Sequence, residues 1–252
     1  MKKLLKILGI LVGVIVLGIG ILFFSMNEKE PAGTTGAAAD ELARAMEVAI
    51  NKVAWDSTTY LSWTFQGRGE HDYVWDKDRN FVSISWDENK KVLLHTESVT
   101  GLAFVNGQTV EGEEKDKMIQ EAWGYFCNDS FWLNPAVKAF DPGVERSVVT
   151  LDDGAKALKV SYKSGGVTPG DSYLWILDEN NRPKEWKMWV SIIPFGGLSF
   201  TWEGWNAIST GALVSSTHAS KLFTLQLANI KGGMDLASVG QTGDPFPGLV
   251  AQ

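Results

Sequence analysis

The stretch that decides the fold covers residues 59–87 and reads TYLSWTFQGRGEHDYVWDKDRNFVSISWD. Large apolar side chains occupy every second position in three short runs, as in Leu61, Trp63 and Phe65. A period of two is typical of antiparallel strands that have one face on an apolar core and the other in water. The spacers between the runs are short and turn-like. The stretch therefore predicts an antiparallel meander.

Alternating runs continue along most of the chain. They recur at residues 91–96 and 101–111, where Asn106-Gly107 is a strong hairpin signal, and again between residues 148 and 227. The sequence shows no internal repeat, which argues against solenoids and propellers.

Two segments carry apolar residues at helical spacing instead. Residues 41–53 follow Asp40, a suitable N-cap, and form one apolar stripe. Residues 113–126 begin with acidic side chains, which suit the N-terminus of a helix, and Asn128-Asp129-Ser130 is expected to end this central helix. The order of elements predicts a mainly β protein of the α+β class with one strongly curved antiparallel sheet.

The N-terminus carries a membrane signal. Residues 7–24 read ILGILVGVIVLGIGILFF, and three lysines but no acidic residue precede them. A spanning helix needs about 20 apolar residues. Residues 1–26 are therefore predicted to be a signal-anchor transmembrane helix, with the lysines in the cytoplasm and the following chain exported. Cleavage as a signal peptide is the alternative, because Ala37-Ala38-Ala39 offers small residues, and it also exports the domain.

Composition sets the remaining boundaries. Residues 27–39 hold proline, glycine and small residues, which predicts a flexible linker. Residues 40–230 are the folded domain. Residues 231–252 contain five glycines and two prolines, which predicts a disordered tail.

Charge and residue usage exclude several classes of function. With a net charge of −7, the chain does not have the excess of basic residues that is typical of a nucleic-acid binder. The single cysteine, Cys127, excludes an intramolecular disulfide and a cysteine metal cluster. His71, His95 and His218 are scattered, and the common hydrolase motifs are missing. We expect no catalytic residue, no metal site and no cofactor. A hydrolase would need two carboxylates, or a histidine and a serine, within hydrogen-bond reach.

The chain has 11 tryptophans, and many fall on the predicted apolar strand faces. Each aromatic side chain buries about 150–250 Å². The apolar area of one sheet face with so many rings is therefore larger than the area that two short helices can cover. The rings line a cavity for a lipid chain, fill a thick core, or form an exposed platform for a glycan or a protein. The residues predicted to line the cavity are Trp63, Phe65, Trp75, Trp86, Trp175, Trp186, Phe200 and Trp202. Trp175 and Trp186 are expected to share this face on neighbouring strands.

Three stretches resemble parts of a known family. The first stretch runs from Tyr125-Phe126 to Phe131-Trp132-Leu133 and also includes Asp141-Pro142-Gly143-Val144. The second consists of Tyr173-Leu174-Trp175-Ile176-Leu177-Asp178 followed by Asn181-Arg182-Pro183. The third consists of Trp205-Asn206-Ala207-Ile208 followed by Gly211-Ala212-Leu213-Val214. Together with the order of elements, they resemble the LolA-like periplasmic lipoprotein carriers and their bacterial relatives. The resemblance spans residues 40–230 and implies a half-barrel, with the N-terminal and central helices as a lid over a cavity for acyl chains. The carriers are soluble, whereas this chain is predicted to be tethered.

These features predict a membrane-tethered, exported binding domain for a lipid or an acylated protein, not an enzyme. Its expected location is the cytoplasmic (inner) membrane, which it crosses once, with the C-terminal domain in the periplasm or at the cell exterior. Its expected partners are the membrane and a lipid or lipoprotein. The alternative is a structural or interaction module of an envelope complex with a filled, tryptophan-rich core.

Overall fold

A computed structural model describes residues 27–67, 69–164 and 169–249. Its α-helices in this part of the chain are α1 (Ala37–Ala49), α2 (Lys52–Asp56) and α3 (Gly112–Leu133), and 3-10 turns lie at Pro135–Lys138 and Ala237–Val239. The strands of the first half are β1 (Tyr60–Gln66), β2 (Glu70–Asp76), β3 (Phe81–Trp86), β4 (Lys90–His95), β5 (Thr100–Val105) and β6 (Gln108–Val110). Those of the second half are β7 (Val144–Thr150), β8 (Lys156–Tyr162), β9 (Ser172–Leu177), β10 (Pro183–Trp189), β11 (Leu198–Thr201), β12 (Asn206–Ala207), β13 (Leu213–Val214), β14 (Thr217–Ala219) and β15 (Thr224–Gly233).

The strands form two large antiparallel sheets, and neither closes on itself. The first sheet has eight strands in the order β14-β15-β1-β2-β3-β4-β5-β6, and the second has five in the order β11-β10-β9-β8-β7. A bridge between Glu203 and Thr217 joins the two sheets near β11 and β14, and β12 pairs with β13 as a separate ribbon. The expectation of one continuous sheet is corrected here. The alternating pattern shows which face of a strand is buried, but it does not show which strand pairs with it. Strand β15, for example, pairs with β1 at the other end of the domain sequence.

The Asn106-Gly107 hairpin and the inner strand faces are confirmed, but the outer faces are not all in water, since Asp76, Phe81 and Ser83 are buried. Asn106 and Gly107 both have positive φ, at 52° and 75°, as a two-residue type I′ turn requires, and Val105 pairs with Gln108 across it. Trp175 and Trp186 lie directly opposite each other on β9 and β10, and both are buried. The predicted register of this hairpin is therefore confirmed.

The segment before the first helix contradicts the expectation of a flexible linker over residues 27–39. Thr34 pairs with Val148 of β7, Lys159 contacts Glu30, and α1 already begins at Ala37. This segment has a fixed course because its backbone and carboxylates find partners on the second sheet.

The first helix has the predicted length of 13 residues, but it lies four residues nearer the N-terminus, at Ala37–Ala49 instead of 41–53. It ends at Ala49 because Asn51 takes a left-handed conformation, with φ 56°, and a second short helix follows. The apolar stripe keeps Met46 and Ile50 in the core, but Val53, expected there, is 81% exposed.

The central helix passes through the residues expected to end it. Helix α3 continues over Asn128, Asp129 and Ser130 as far as Leu133. These residue types favour helix ends because their side chains compete for backbone hydrogen bonds. Here Asp129 instead points into the protein, where side chains of the first sheet bind it.

The predicted disordered tail is docked over residues 231–249. Strand β15 runs to Gly233, and Phe246 is buried against Phe81. The guanidinium of Arg79 donates to both carboxylate oxygens of Asp244 at 2.9 and 3.0 Å. The low apolar content of residues 231–252 did not predict this docking, in which Val239 and Phe246 are buried and Asp244 pairs with Arg79.

The predicted transmembrane helix, residues 1–26, lies outside the described residues. Among the helices that the structure describes, none is long and apolar enough to cross a bilayer.

Candidate functional site

The eight residues predicted to line a cavity belong to one continuous hydrophobic core. Seven of them are almost fully buried, and Trp75 is half-buried against the same cluster. They form two groups. Trp63, Phe65, Trp75 and Trp86 lie on β1–β3 of the first sheet, and Trp175, Trp186, Phe200 and Trp202 lie on or beside β9–β11 of the second. We call these eight side chains the aromatic face.

Helix α3 lies across the aromatic face and contacts both groups. Towards the first sheet, the ring centroids of Phe126 and Trp75 are 5.2 Å apart. Towards the second sheet, Trp132 lies 4.9 Å from Trp186 and 4.8 Å from Phe200. The central helix therefore covers the face that the alternation predicted.

The rings of the second group also contact each other. The centroids of Trp175, Trp186 and Trp202 are separated by 4.9 to 5.1 Å in each pairing, at tilted or edge-on angles. Such distances are those of favourable aromatic packing. Within this group, the tryptophan rings therefore pack directly against each other on the inner face of the second sheet.

Five indole N–H groups of the aromatic face are buried without a hydrogen-bond acceptor among the described residues. They belong to Trp63, Trp75, Trp86, Trp186 and Trp202. Buried indoles usually find an acceptor, and an unpaired buried donor costs about 1–3 kcal/mol. The core is thus well packed by its rings but unsatisfied at its polar atoms.

A buried polar cluster fixes α3 to the first sheet, and sequence reasoning missed it. The carboxylate of Asp129, 1% exposed, accepts a hydrogen bond from the Tyr73 hydroxyl at 2.6 Å and lies 2.7 Å from Nδ1 of His71. Asn128 donates to its other oxygen at 2.8 Å, and the ring of Tyr125 stacks on His71 at 4.1 Å. Burial and the carboxylate raise the pKa of the Tyr73 hydroxyl far above its usual range, so it stays a donor.

The signal for this cluster was present but ambiguous. His71 alternates with Asp72 so that His71 faces inward and Asp72 is exposed, as the strand pattern predicted. Asp129 belongs to the Asn128-Asp129-Ser130 run that predicts a helix end, because the sequence does not show that Asp129 lies opposite His71. Sequence separation of 58 residues hides the pairing.

The His71–Asp129 pair does not complete a nucleophilic site among the described residues. No serine, threonine or cysteine side chain there hydrogen-bonds to His71, and the part of the chain that the structure describes holds no group of three metal-ligating side chains. Burial raises the pKa of the Cys127 thiol to about 11, which keeps it protonated and unreactive near neutral pH.

Other titratable groups in the core are held neutral. Burial lowers the pKa of His218 to about 4, and its Nδ1 lies 3.3 Å from the Thr201 carbonyl. Burial likewise raises the pKa values of the Tyr162 and Tyr173 hydroxyls. Near neutral pH, His218, Tyr162 and Tyr173 therefore add no charge to the aromatic surroundings.

Two surface grooves lie away from the aromatic face. One is lined by residues of the 190–196 loop with Asn27, Gly170 and Trp189, and the other by the β1–β2 turn with Thr224 and Gln226. Neither groove includes a residue of the aromatic face.

Comparisons with known proteins give a structural likeness but no match in sequence. No protein-family model matches the chain, and no curated protein sequence matches it. The chain is similar to a crystal structure of a DUF1329 family protein from Desulfovibrio piger, with 10% sequence identity and a TM-score of 0.39, over 79% of this chain and 98% of that chain.

Proposed function

We propose that this chain is an exported, membrane-tethered binding domain that holds the apolar chain of a lipid or of an acylated protein between α3 and the aromatic face. In this proposal the two sheets act as a half-barrel and α3 is its lid. The apolar run at residues 7–24 anchors the chain in the cytoplasmic membrane, with the domain on the outer side. The chain binds rather than catalyses.

The five unpaired indole N–H groups carry this proposal. A hydrocarbon chain alone would satisfy none of them, whereas the ester or amide carbonyl next to an acyl chain is a hydrogen-bond acceptor. A ligand with both parts would contact the rings and pair buried donors, which favours binding by about 1 kcal/mol per hydrogen bond formed.

The bound lipids test the proposal. Residues 27–252, exported without the apolar run, are purified, and extracted lipids are identified by mass spectrometry against an exported control domain of similar size. We expect enrichment of one lipid class. Trp186→Phe removes one unpaired N–H and should lower the amount of lipid retained. Trp189→Phe is the matched control, because that indole already donates to Glu28 at 2.8 Å. Equal lipid in sample and control domain would refute the proposal.

The close ring packing favours a second candidate, an interaction module of an envelope complex whose core is filled. In that case the indole N–H groups are accommodated by the faces of rings that they meet edge-on, as in the pair Trp186 and Trp202, whose centroids are 5.0 Å apart at an interplanar angle of 75°. This candidate predicts that the purified domain carries no lipid and that both tryptophan variants behave alike.

A further inference from the structure

Asn27 and Glu28, where the described part of the chain begins, contact an apolar loop. Gly196 N–H donates to the Asn27 side chain at 2.9 Å, and Glu28 N–H donates to the Gly196 carbonyl at 2.9 Å. The Trp189 indole donates to the Glu28 carbonyl at 2.8 Å, and Lys187 pairs with the Glu28 carboxylate at 2.6 Å. Asn27 and Glu28 are therefore fixed to the loop that connects β10 and β11.

The loop sequence allows this close contact. A Cβ on Gly196 would lie 2.1 Å from the Trp189 ring and 2.8 Å from the Glu28 carbonyl. Gly197 has φ +84°, and a Cβ there would lie 2.5 Å from that of Glu28. Glycine at both positions lets the backbone of Glu28 lie directly on the loop.

The same loop exposes apolar side chains. Residues 191–197 read SIIPFGG, and Ile192 at the tip is 72% exposed. Pro194 beside it is exposed, and Ile193 is half-buried. An aliphatic side chain this exposed at a loop tip is unfavourable in water and favourable at an apolar boundary.

Chain length places this loop relative to the anchor. Phe24 ends the apolar run and is three residues from Asn27. Three residues span at most about 11 Å when fully extended. The headgroup layer on each side of a bilayer is about 5–8 Å thick. If residues 7–24 span the membrane, Asn27 and the loop bound to it are held at the headgroup layer.

We propose that the 191–197 loop is a bilayer-docking element, with Ile192 inserted at the boundary between headgroups and acyl chains. This inference rests on the anchor in the proposed function and extends it, because the tether then fixes the orientation of the domain and turns the β10–β11 end of the second sheet towards the lipid. The partner is the surface of the membrane that the chain itself crosses.

Spin labels on the full chain test the docking. In a Cys127→Ser background, Ile192→Cys or Val53→Cys is labelled with a nitroxide and the chain is reconstituted into phosphatidylcholine vesicles. Val53, 81% exposed on α2, is the matched control. We expect the label at residue 192 to collide more with oxygen, which concentrates in the bilayer, than with a water-soluble nickel complex. The label at residue 53 should show the reverse.

Each result is decisive. If the chain floats with the vesicles but both labels collide mainly with nickel, docking is wrong while the anchor stands. If the chain does not float, both the docking and the anchor are wrong. Lipid retention by residues 27–252 is measured separately, so failure of the binding proposal does not alter the reading of the labels.

Discussion

At the scale of single side chains, the carboxylate of Asp129 connects the central helix to the first sheet. Its hydrogen bonds with Tyr73 and Asn128, and its contact with His71, satisfy a buried polar group that would otherwise be costly. A helix held in this way has one preferred position, since a shift along its axis would break the buried contacts of Asp129 with Tyr73 and His71.

Removing this carboxylate should therefore loosen the helix. Asp129→Ala leaves the buried groups of His71 and Tyr73 unpaired, and we expect the free energy of unfolding to fall by about 3 kcal/mol. Urea denaturation measures this change. Asp116→Ala, an exposed aspartate on the same helix, should cost less than about 0.5 kcal/mol. Similar losses for the two variants would contradict the assigned role of Asp129.

A second side chain gives the protein a defined pH response. His218 has a folded pKa of about 4 because it is buried, whereas its ordinary value is 6.5. Between these values the unfolded chain binds a proton that the folded chain does not. Stability contributed by neutral His218 is therefore full above about pH 6.5 and is lost as pH falls towards 4.

We expect acidification from pH 7.5 to 5 to lower the free energy of unfolding, with about 1–3 kcal/mol of the loss due to His218. His218→Asn keeps a donor for the Thr201 carbonyl but cannot titrate. Urea denaturation at both pH values should give a smaller pH dependence for the variant. If the free energy of unfolding falls by the same amount between pH 7.5 and 5 in the variant and in the unsubstituted chain, groups other than His218 cause the fall.

At the scale of elements, α3 covers the aromatic face but contains a residue that weakens it. Gly124 lies in the middle of this helix, and a Cβ there would meet no atom within 4 Å. Glycine in a helix interior is less favourable than alanine by about 0.5–1 kcal/mol. Helix α3 is thus less stable around Gly124 than it would be with alanine at that position.

Gly124→Ala should raise the melting temperature, because it adds helix propensity without a clash. Gly107→Ala is the matched control: its Cβ also meets open space, but φ is +75° in the β5–β6 turn. Alanine there should lower stability by about 1 kcal/mol. Thermal unfolding followed by circular dichroism compares the two, and shifts of the same sign would contradict this account of α3.

The same elements show what the sequence can predict. The faces of β1–β3 and the pairing of Trp175 with Trp186 follow from local alternation and short turns, because both depend on neighbours along the chain. The pairing of β15 with β1, the continuation of α3 past Asp129 and the docking of Phe246 depend on distant partners. No local pattern contains that information.

At the scale of the whole molecule, the two sheets and α3 enclose an aromatic core. Its rings are closely packed, but five of its indole N–H groups have no hydrogen-bond acceptor among the described residues. The segment that follows the apolar run is bound to the second sheet at residues 27–34. In the proposed arrangement this rigid attachment holds the binding domain against the membrane, so a ligand passes between bilayer and core over a short distance.

Quenching of tryptophan fluorescence by a brominated acyl chain tests whether an acyl chain binds against the aromatic face. Bromine quenches only indoles that it contacts closely. Dibromostearoyl lysophosphatidylcholine is titrated below its critical micelle concentration into residues 27–252, with the unbrominated lipid as control. If the proposal is correct, quenching is saturable and is weaker in Trp186→Phe than in Trp189→Phe. Tryptophan emission that stays the same with both lipids would contradict it.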